Sequence, residues 1–334
     1  MLYTSYDNLG LVRVLQFLKA HQLEYLSGED LSEVLKISRV AVWKHIKKIQ
    51  TLGYKIESKQ NLGYRLSRTT DLMLPWEITD GLKTSQIGKK IYYFNSVDST
   101  QNFASSISKN SDEAGSVIIA ETQIAGKGRL GRTWVSPKGG IWLSIILHPT
   151  FDVSKITLIP LASSVALSNA IRKTLKIETE LKWPNDVTLN GKKVAGMIID
   201  AIVESSSIES LVLGVGINFK ISPKEIENKI KSKENFYGVT TLLKRKDKKA
   251  PPKLVQSFLE ELEKILMLLN KDKTNSIITQ WTKKSSTIGR TVSISTQNGK
   301  IIGKAVKLDR DGSLIIKQNS KQLKITVGDV TYKK

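Results

Sequence analysis

Cysteine is absent from this chain of 334 residues. Its absence excludes disulfide bonds, thiol nucleophiles and the zinc or iron–sulfur sites that cysteine ligates. Histidine is nearly absent too, because the sequence holds only His21, His45 and His148, and no two of them have the spacing of a metal-binding pair. The sequence therefore gives no support for a thiol-based mechanism or for a histidine–metal centre.

Long apolar runs are also missing. No run approaches the roughly 18 residues that cross a membrane, and the N-terminus lacks the basic and then apolar pattern of an export signal. We therefore expect a cytoplasmic protein that has no membrane-spanning segment.

Acidic residues are strongly outnumbered, with 52 Lys and Arg against 31 Asp and Glu and a net charge of +21. Such a charge favours polyanionic partners. The excess is +5 in residues 1–70, +7 in 71–274 and +9 in 275–334, so it is spread over the whole chain. Local clusters of cations are therefore better evidence for a partner than the total.

The N-terminal region predicts three helices followed by a hairpin. Apolar residues recur at helical spacing in 9–20 and in a second segment, 31–35, which follows Ser27. They recur again in a third segment that Ser38 can cap and Gly53 can end. Residues 54–58 and 63–66 alternate as two short strands do. This order of elements is that of a winged helix-turn-helix.

The same region is basic, with nine Lys or Arg and a single acid, Glu57, in residues 34–68. Cations on the third helix would face DNA phosphates or base edges. The candidate DNA-binding residues are Ser38, Arg39, Lys44, Lys47 and Lys48. The alternative is a solvated basic helix in a small interaction domain, but the wing and the charge bias together favour DNA.

The rest of the chain predicts a mixed α/β domain and then an all-β domain. We predict helices at 158–176 and 254–269, and strands at 91–95, 117–122, 141–147, 187–190, 194–202 and 210–217. From Thr291 the pattern is purely β, with turns at Asn298-Gly299 and Asp311-Gly312, which predicts a small barrel with strands at 292–294, 301–308, 313–317 and 323–327. The expected domains are therefore 1–68, 69–274 and 275–334.

The most informative stretch is GKGRLGRTW at residues 126–134, with three glycines and three cations within seven residues. Glycine lets a backbone approach a ligand closely, and Lys and Arg neutralise phosphate. The glycines also satisfy the dinucleotide-binding G-x-G-x-x-G and come close to a P-loop, but both motifs need a helix at the glycines. Pro137, Gly139 and Gly140 argue against that helix. Taken alone, the loop could also be a mobile basic surface loop.

Several other motifs accompany this loop. Asp98-Ser99-Thr100 could place hydroxyls at the start of a helix, and KWPND at 182–186 predicts a rigid turn between two strands. Lys193 begins a strand, and Gly214 and Gly216 end another strand just before an asparagine. Each has a purely structural explanation as well, namely a helix cap, a packed turn, a solvated lysine at a strand end and a tight turn.

Together and in this order, the motifs resemble those of the biotin–protein ligases. The loop is similar to that family's GRGRxGRxW, and its second signature, KWPND, is intact. The winged helix and the barrel resemble the bifunctional group, in which the biotin ligase is also the repressor of the biotin operon. The resemblance covers essentially the whole chain. It implies an α+β multidomain protein with a class II synthetase-like catalytic domain and an SH3-like C-terminal barrel.

The resemblance also implies an activity in two steps. Biotin and ATP give biotinyl-5′-AMP and pyrophosphate, and a lysine of apo biotin carboxyl carrier protein then attacks the adenylate. Mg²⁺, operator DNA and a ligand-dependent homodimer are further implied, with biotinyl-5′-AMP as co-repressor. A lipoate–protein ligase and a transcription factor that only senses biotin or a nucleotide are the alternatives.

The resemblance assigns roles to individual residues. Lys193 would contact the biotin carboxylate and the α-phosphate, Arg129 and Arg132 would order the loop over the adenylate, and Asp186 would help to hold Mg²⁺ or orient the incoming amine. The residues implied to bind biotin or the adenylate are Ser99, Thr100, Gln101, Gln123, Gly126, Lys127, Gly128, Arg129, Arg132, Trp134, Lys193, Gly216 and Asn218. Lys127 departs from the family, because it replaces an arginine and so keeps the charge but loses the planar fork.

Overall fold

Nine helices and fifteen strands occupy the part of the chain that the computed structural model describes, which is residues 2–4, 9–22, 24–204, 207–230, 236–296 and 299–332. The helices are α1 (Leu9–Ala20), α2 (Gly28–Leu35), α3 (Arg39–Thr51), α4 (Pro75–Thr79), α5 (Thr100–Ile107), α6 (Leu158–Leu175), α7 (Pro223–Lys229), α8 (Pro251–Asn270) and α9 (Thr274–Lys283). None of these helices is long and apolar enough to cross a lipid bilayer.

The strands form three sheets. They are β1 (Leu2–Thr4), β2 (Lys55–Lys59), β3 (Gly63–Arg68), β4 (Ile91–Phe94), β5 (Val117–Ala120), β6 (Ile141–Leu147), β7 (Glu180–Lys182), β8 (Asp186–Leu189), β9 (Lys192–Glu204), β10 (Ser207–Ile217), β11 (Thr291–Thr296), β12 (Gly299–Leu308), β13 (Leu314–Gln318), β14 (Lys321–Ile325) and β15 (Asp329–Tyr332). β2 and β3 pair alone, β11–β15 form a five-stranded sheet, and the other strands form the central sheet.

The N-terminal elements form the predicted winged helix-turn-helix. Ser27 caps α2 through a capping box with Asp30, and Ser38 caps α3 by accepting a hydrogen bond from the Ala41 N–H at 3.2 Å. These caps depend on neighbouring residues alone, which is why the two helix starts could be predicted. Inward-facing apolar residues of α1, α2 and α3 pack into one core.

The wing is joined to the helices by a backbone contact. Leu26 and Tyr64 exchange two backbone hydrogen bonds, at 2.9 and 2.8 Å. Gly63 has a positive φ of 99°, and a Cβ at this position would overlap the Leu26 carbonyl oxygen. Glycine is therefore required where the wing crosses the segment before α2.

The central sheet is mixed, as predicted, with the strand order β1-β4-β5-β6-β10-β9-β8-β7. β4 and β5 are parallel, and the other pairs are antiparallel. Helix α5 packs on one face, and α6, backed by α8, packs on the other. Because both faces are covered, β6 is buried along its whole length. This burial explains its unbroken apolar run and places its one polar residue, Ser144, inside the molecule.

The C-terminal sheet is attached to the central domain at the KWPND turn. The Trp183 indole N–H donates to the Gly312 carbonyl at 3.0 Å, and the Trp183 backbone N–H donates to Thr287 Oγ1 at 3.1 Å. Trp183 itself is buried. This residue of the motif therefore holds the C-terminal domain against the turn.

Most predicted elements are present, with ends that differ by one to three residues. The elements that the sequence did not predict are α4, α7, α9, β1 and β15, and β7 was implied only as the strand before KWPND. The three helices begin without a capping side chain, and the three strands have only three or four residues each, too few for a periodic signal. The predicted turn residue Asn298 lies outside the described residues.

Candidate functional site

A cavity of about 220 Å³ lies where the glycine-rich loop, the KWPND turn, the central sheet and the C-terminal domain meet. Most of the residues implied by the sequence line it, namely Ser99, Thr100, Gln101, Gln123, Lys127, Gly128, Arg129, Arg132, Trp134, Asp186, Lys193, Gly216 and Asn218. Gly126 is not among the lining residues. A Cβ there would overlap the Trp134 carbonyl oxygen, so this glycine lets the two arms of the loop approach each other.

The start of α5 gives the cavity a neutral, hydrogen-bonding end. Ser99 is the N-cap of α5, as its position in the sequence suggests. Gln123 Oε1 accepts hydrogen bonds from the Thr100 backbone N–H at 2.8 Å and from Thr100 Oγ1 at 3.1 Å. The Ser144 hydroxyl donates to Gln101 Oε1 at 2.9 Å. These groups hold one another in place, so they can recognise a polar, uncharged ligand group with fixed geometry.

Glycines of the central sheet make room for two large side chains. Gly196 and Gly216 stand opposite each other on β9 and β10, and a Cβ on Gly216 would overlap the Trp134 indole. A Cβ on Gly214 would lie 2.5 Å from Gln101 Oε1. The glycines therefore let Trp134 and Gln101 lie directly against the strands that form this wall of the cavity.

The glycine-rich loop folds back on itself as a short hairpin. The Trp134 N–H donates to Gly126 O at 2.8 Å, and the Gly128 N–H donates to Arg132 O at 2.7 Å. Its tip is a single 3₁₀ turn, Arg129–Gly131, and extended backbone follows. The helix that a dinucleotide fold or a P-loop requires is therefore absent from the described loop, as Pro137 predicted.

Two arginines hold this hairpin against the rest of the site. Arg129 Nη1 donates to Asn185 Oδ1 at 3.0 Å and lies 3.4 Å from Asp329 Oδ1. Arg132 also forms an ion pair with Asp329, which belongs to the C-terminal sheet. One carboxylate thus bridges both arginines and fastens the loop to the C-terminal domain.

Lys193 and Asp186 form an ion pair at the cationic end of the cavity. Lys193 Nζ lies 2.6 Å from Asp186 Oδ1, and the Tyr237 hydroxyl donates to Asp186 Oδ2 at 2.7 Å. Burial, reinforced by the Asp186 charge, raises the pKa of Tyr237 well above its ordinary value, so Tyr237 keeps the proton that it donates. Both oxygens of Asp186 are therefore engaged, and Lys193 is held in one position.

Lys182 is a second ammonium group at this end. Its side chain is almost fully buried, and Nζ lies 3.1 Å from the centre of the Tyr237 ring and 4.8 Å from that of Tyr332. Burial lowers the pKa of Lys182 to about 8, with Asp186 opposing and Lys193 adding to that effect. Lys182 therefore remains largely charged at neutral pH despite its burial.

Four buried polar atoms of the cavity have no hydrogen-bond partner in the described structure, namely Trp134 Nε1, Lys182 Nζ, Asp186 Oδ1 and Asn218 Oδ1. Of these, Asp186 Oδ1 is ion-paired with Lys193, which leaves two donors and one acceptor unpaired. Leaving one such group unsatisfied costs about 1–3 kcal/mol. Two donors and one acceptor in one cavity indicate a ligand with polar groups of both kinds. No group of three or more acidic or histidine side chains in the described ranges could hold a metal ion.

A second candidate site lies on α3, far along the chain from the cavity. Of the cations assigned there from sequence, Arg39, Lys44 and Lys47 are exposed, whereas Lys48 is only partly exposed. The Ser38 hydroxyl oxygen is used as the helix cap. Three of the five assigned residues thus present exposed positive charge on one helix.

Two apolar side chains on α3 were not predicted to be part of this surface. Val40 is 63% exposed and Trp43 is 50% exposed, and Lys47 Nζ lies 6.0 Å from the centre of the Trp43 ring. Apolar groups beside cations suit the major groove, where thymine methyl groups stand beside hydrogen-bonding base edges.

Comparisons with known proteins match this arrangement of sites. Family models match at residues 11–65 (HTH domain), 93–218 (Biotin/lipoate A/B protein ligase family) and 287–331 (Biotin protein ligase C terminal domain). The bifunctional ligase/repressor BirA of Bacillus subtilis is 32% identical over 310 residues, which are 92% of this chain and 94% of that protein. The chain belongs to the family of bifunctional biotin–protein ligases and repressors. It is thus a biotin–protein ligase that also carries a DNA-binding repressor domain.

A further relative and a solved structure agree with this family. BirA of Escherichia coli is 26% identical over 298 residues, which are 89% of each protein. The solved structure of the biotin protein ligase from Aquifex aeolicus in complex with biotin and ATP superposes with a TM-score of 0.60 at 27% identity, and covers 73% of this chain and 98% of that one.

The cavity residues that were not assigned from the sequence include five whose side chains form polar contacts there: Ser144, Lys182, Asn185, Tyr237 and Asp329. Lys182 and Asn185 lie within KWPND, and Ser144 interrupts an apolar run, so a local signal existed for these three. Tyr237 and Asp329 have no such signal. Only the tertiary structure brings them to the loop and the turn.

Proposed function

We propose that this ligase forms biotinyl-5′-AMP from biotin and ATP and then transfers the biotin to a lysine of apo biotin carboxyl carrier protein. The observation that carries the proposal is the single cavity with a neutral hydrogen-bonding end and a cationic end. Biotin has a neutral ureido group at one end and a carboxylate at the other, and ATP brings the phosphates. The biotin protein ligase of Aquifex aeolicus, with which this chain shares its fold, was solved with both molecules.

In the first step, Ser99, Thr100 and Gln123 hold the ureido group, and Lys193 contacts the biotin carboxylate and the α-phosphate. A carboxylate oxygen attacks the α-phosphorus, and pyrophosphate leaves with the electrons of the broken bond. Negative charge grows on the α-phosphate oxygens, so a cation fixed beside them in a partly dry site contributes on the order of 3 kcal/mol. Asp186 acts by holding Lys193 in position.

In the second step, the amine of the acceptor lysine attacks the acyl carbon, and AMP leaves. The mixed anhydride must be kept from water until then. Arg129 and Arg132 serve this purpose by holding the loop against Asn185 and Asp329 over the adenylate.

Mg²⁺ fits the cavity only as an ion held mainly by the phosphates. Among the described lining residues the carboxylates are Asp186 and Asp329, and both are already paired with cations. Mg²⁺ commonly binds through one or two carboxylates plus substrate phosphates, so one Asp186 oxygen is the protein ligand that we propose. When bound, the ion would neutralise phosphate charge.

We also propose that α3 of this chain binds operator DNA and that biotinyl-5′-AMP is the co-repressor, in a ligand-dependent homodimer. The exposed cations and the apolar pair of α3 support the DNA part, as does the relation to bifunctional repressors. A protein that works on ATP and an operator would act in the cytoplasm.

A gel-shift assay with the full chain tests the repressor part. Biotin and ATP should strengthen operator binding, and Arg39→Ala should weaken it. Operator binding that is the same with and without the ligands would contradict the co-repressor role.

Pyrophosphate release in the presence of biotin and ATP tests the enzymatic proposal most directly. Lys193→Ala should lower adenylate formation by about 100-fold or more, because it removes the cation at the α-phosphate. The exposed neighbour Lys192 supplies the control, Lys192→Ala, with the same change of charge. Full activity of Lys193→Ala would contradict the role proposed for this lysine. In a separate competition assay, equal use of lipoate and biotin would favour the lipoate–protein ligase alternative.

A further inference from the structure

Two large apolar side chains of α3 lie on its exposed face and take no part in the core of the winged helix. Val40 is 63% exposed and Trp43 is 50% exposed, whereas Val42, Ile46 and Ile49 of the same helix are buried. Apolar residues that are exposed singly are common on soluble proteins, but two neighbours on one helix form a patch. Such a patch indicates a surface that a partner covers.

Helical geometry places these two side chains among cations. Val40 and Trp43 are three positions apart, so they project from one face of α3. Lys44 and Lys47 are exposed, and each follows one of the two apolar residues by four positions, so they extend the same face. Lys47 Nζ lies 6.0 Å from the centre of the Trp43 ring. The patch is therefore an apolar strip beside ammonium groups.

The charge of the surrounding segment indicates which partner covers the strip. Residues 34–68 hold nine Lys or Arg and a single acid, Glu57, which is already paired with Arg65. A polyanion complements this charge, whereas a second copy of the same domain would bring positive charge against positive charge. DNA is therefore the partner, and it must offer apolar groups as well as phosphates at this face.

Duplex DNA offers one such group in its major groove, the C5-methyl group of thymine. In a helix-turn-helix, the N-terminal residues of the second helix contact base edges. Val40 and Trp43 lie within the first five residues of α3, and the two lysines follow one turn later. Valine has no hydrogen-bonding side-chain group, so the methyl group is the feature of a base edge that it can distinguish.

We propose that Val40 and Trp43 recognise thymine in the operator through its C5-methyl group, while Lys44 and Lys47 bind neighbouring phosphates. The inference rests on the operator binding proposed above and adds which base this chain selects. Removing one methyl group from water contributes about a three- to fivefold gain in affinity. Phosphate contacts strengthen binding to every sequence alike, so the preference for thymine comes from the apolar pair.

The test uses the full chain with biotin and ATP. A duplex pool of random sequence yields the sites that the protein selects, and each thymine of a selected site is then replaced by deoxyuridine, which lacks only the methyl group. Wild-type protein should lose about three- to fivefold in affinity at one or more thymines. In Val40→Ala and in Trp43→Ala, the thymine and deoxyuridine duplexes should bind within about 1.5-fold of each other at the thymine that the residue contacts.

Two further variants separate methyl recognition from other effects. Lys44→Ala should weaken the binding of both duplexes by the same factor and reduce its salt dependence, because a phosphate contact is lost. Leu9→Ala is the matched control, since it shortens an apolar side chain of α1 that is 62% exposed and should leave both affinities unchanged. Should Trp43→Ala disturb the fold, Val40→Ala decides, because alanine favours the helix at an exposed position.

Two results would overturn the inference and leave operator binding intact. One is a selected site at which no deoxyuridine substitution changes the affinity, and the other is a thymine preference that Val40→Ala retains in full. If Val40→Ala and Trp43→Ala alter self-association of the DNA-free protein and leave the thymine preference unchanged, a second copy covers the strip and the inference is wrong. If wild-type protein selects no sequence from the pool, the proposed operator binding itself fails.

Discussion

Replacing Lys182 by methionine should make the catalytic domain more stable at neutral pH. Burial lowers the pKa of this lysine from 10.5 to about 8. At 1.36 kcal/mol for each pKa unit, the charged form is disfavoured by about 3 kcal/mol relative to the unfolded chain. The contact of Nζ with the Tyr237 ring offsets about 1–2 kcal/mol of this. Because methionine is unbranched and of similar length, we expect the free energy of unfolding to rise by about 1–2 kcal/mol.

The gain should depend on pH in a defined direction. Between pH 8 and 10.5 the folded protein has released the Lys182 proton while the unfolded chain still holds it, so wild-type stability rises with pH in that window. Methionine carries no proton that titrates, so it adds no pH dependence to the stability of the Lys182→Met variant. The advantage of Lys182→Met should therefore be largest below pH 8 and shrink toward pH 10.

Urea unfolding followed by tryptophan fluorescence measures the free energy of unfolding, because the adjacent Trp183 is buried in the same hairpin. The comparison needs wild type, Lys182→Met and Lys192→Met at pH 7 and at pH 9.5. A variant less stable than wild type at pH 7, or a difference that does not change with pH, would refute the reasoning and show that the tyrosine rings fully compensate the buried charge.

Two further predictions concern the walls of the cavity. Gly216→Ala should weaken the binding of biotinyl-5′-AMP by about tenfold or more, because the new Cβ overlaps the Trp134 indole. Calorimetric titration measures this affinity. Gly28→Ala is the control, because its Cβ would lie 3.8 Å from the nearest atom. Asp329→Asn should release biotinyl-5′-AMP about five- to tenfold faster, since it breaks the ion pairs to Arg129 and Arg132 while keeping the side-chain volume. The double variant Arg129→Gly/Asp329→Asn should accelerate release by less than the product of the two single effects, because both residues act through one contact. Acceleration by the full product would contradict this.

The helices and strands could be predicted where local chemistry determines them. Ser27 and Ser38 cap their helices through residues three positions away, and the apolar run of β6 predicts a buried strand. Helix α9, which has no capping side chain, and the four-residue strand β15 could not be predicted, because packing against the rest of the protein stabilises them.

The candidate site was predicted unevenly for a similar reason. Residues in motifs, such as Gln123 and Lys193, could be assigned because the family resemblance carries over position by position. Val40 and Trp43 are apolar residues that the helical pattern alone does not place on the surface of α3. Tyr237 and Asp329 carry no motif, and their partners lie 51 and 197 or more residues away along the chain.

The sequence by itself determined that this chain has a basic winged helix, a glycine-rich hairpin without a following helix, and a KWPND turn, since each depends on residues a few positions apart. Only the tertiary structure decided that Asp329 fastens the loop, that Tyr237 engages Asp186, and that Lys182 is a buried cation with no hydrogen-bond partner among the described residues. The physical reason is that the energy of a charge depends on which groups surround it in space and on how much water they exclude. Those groups come from separate parts of the chain, and no local pattern records them.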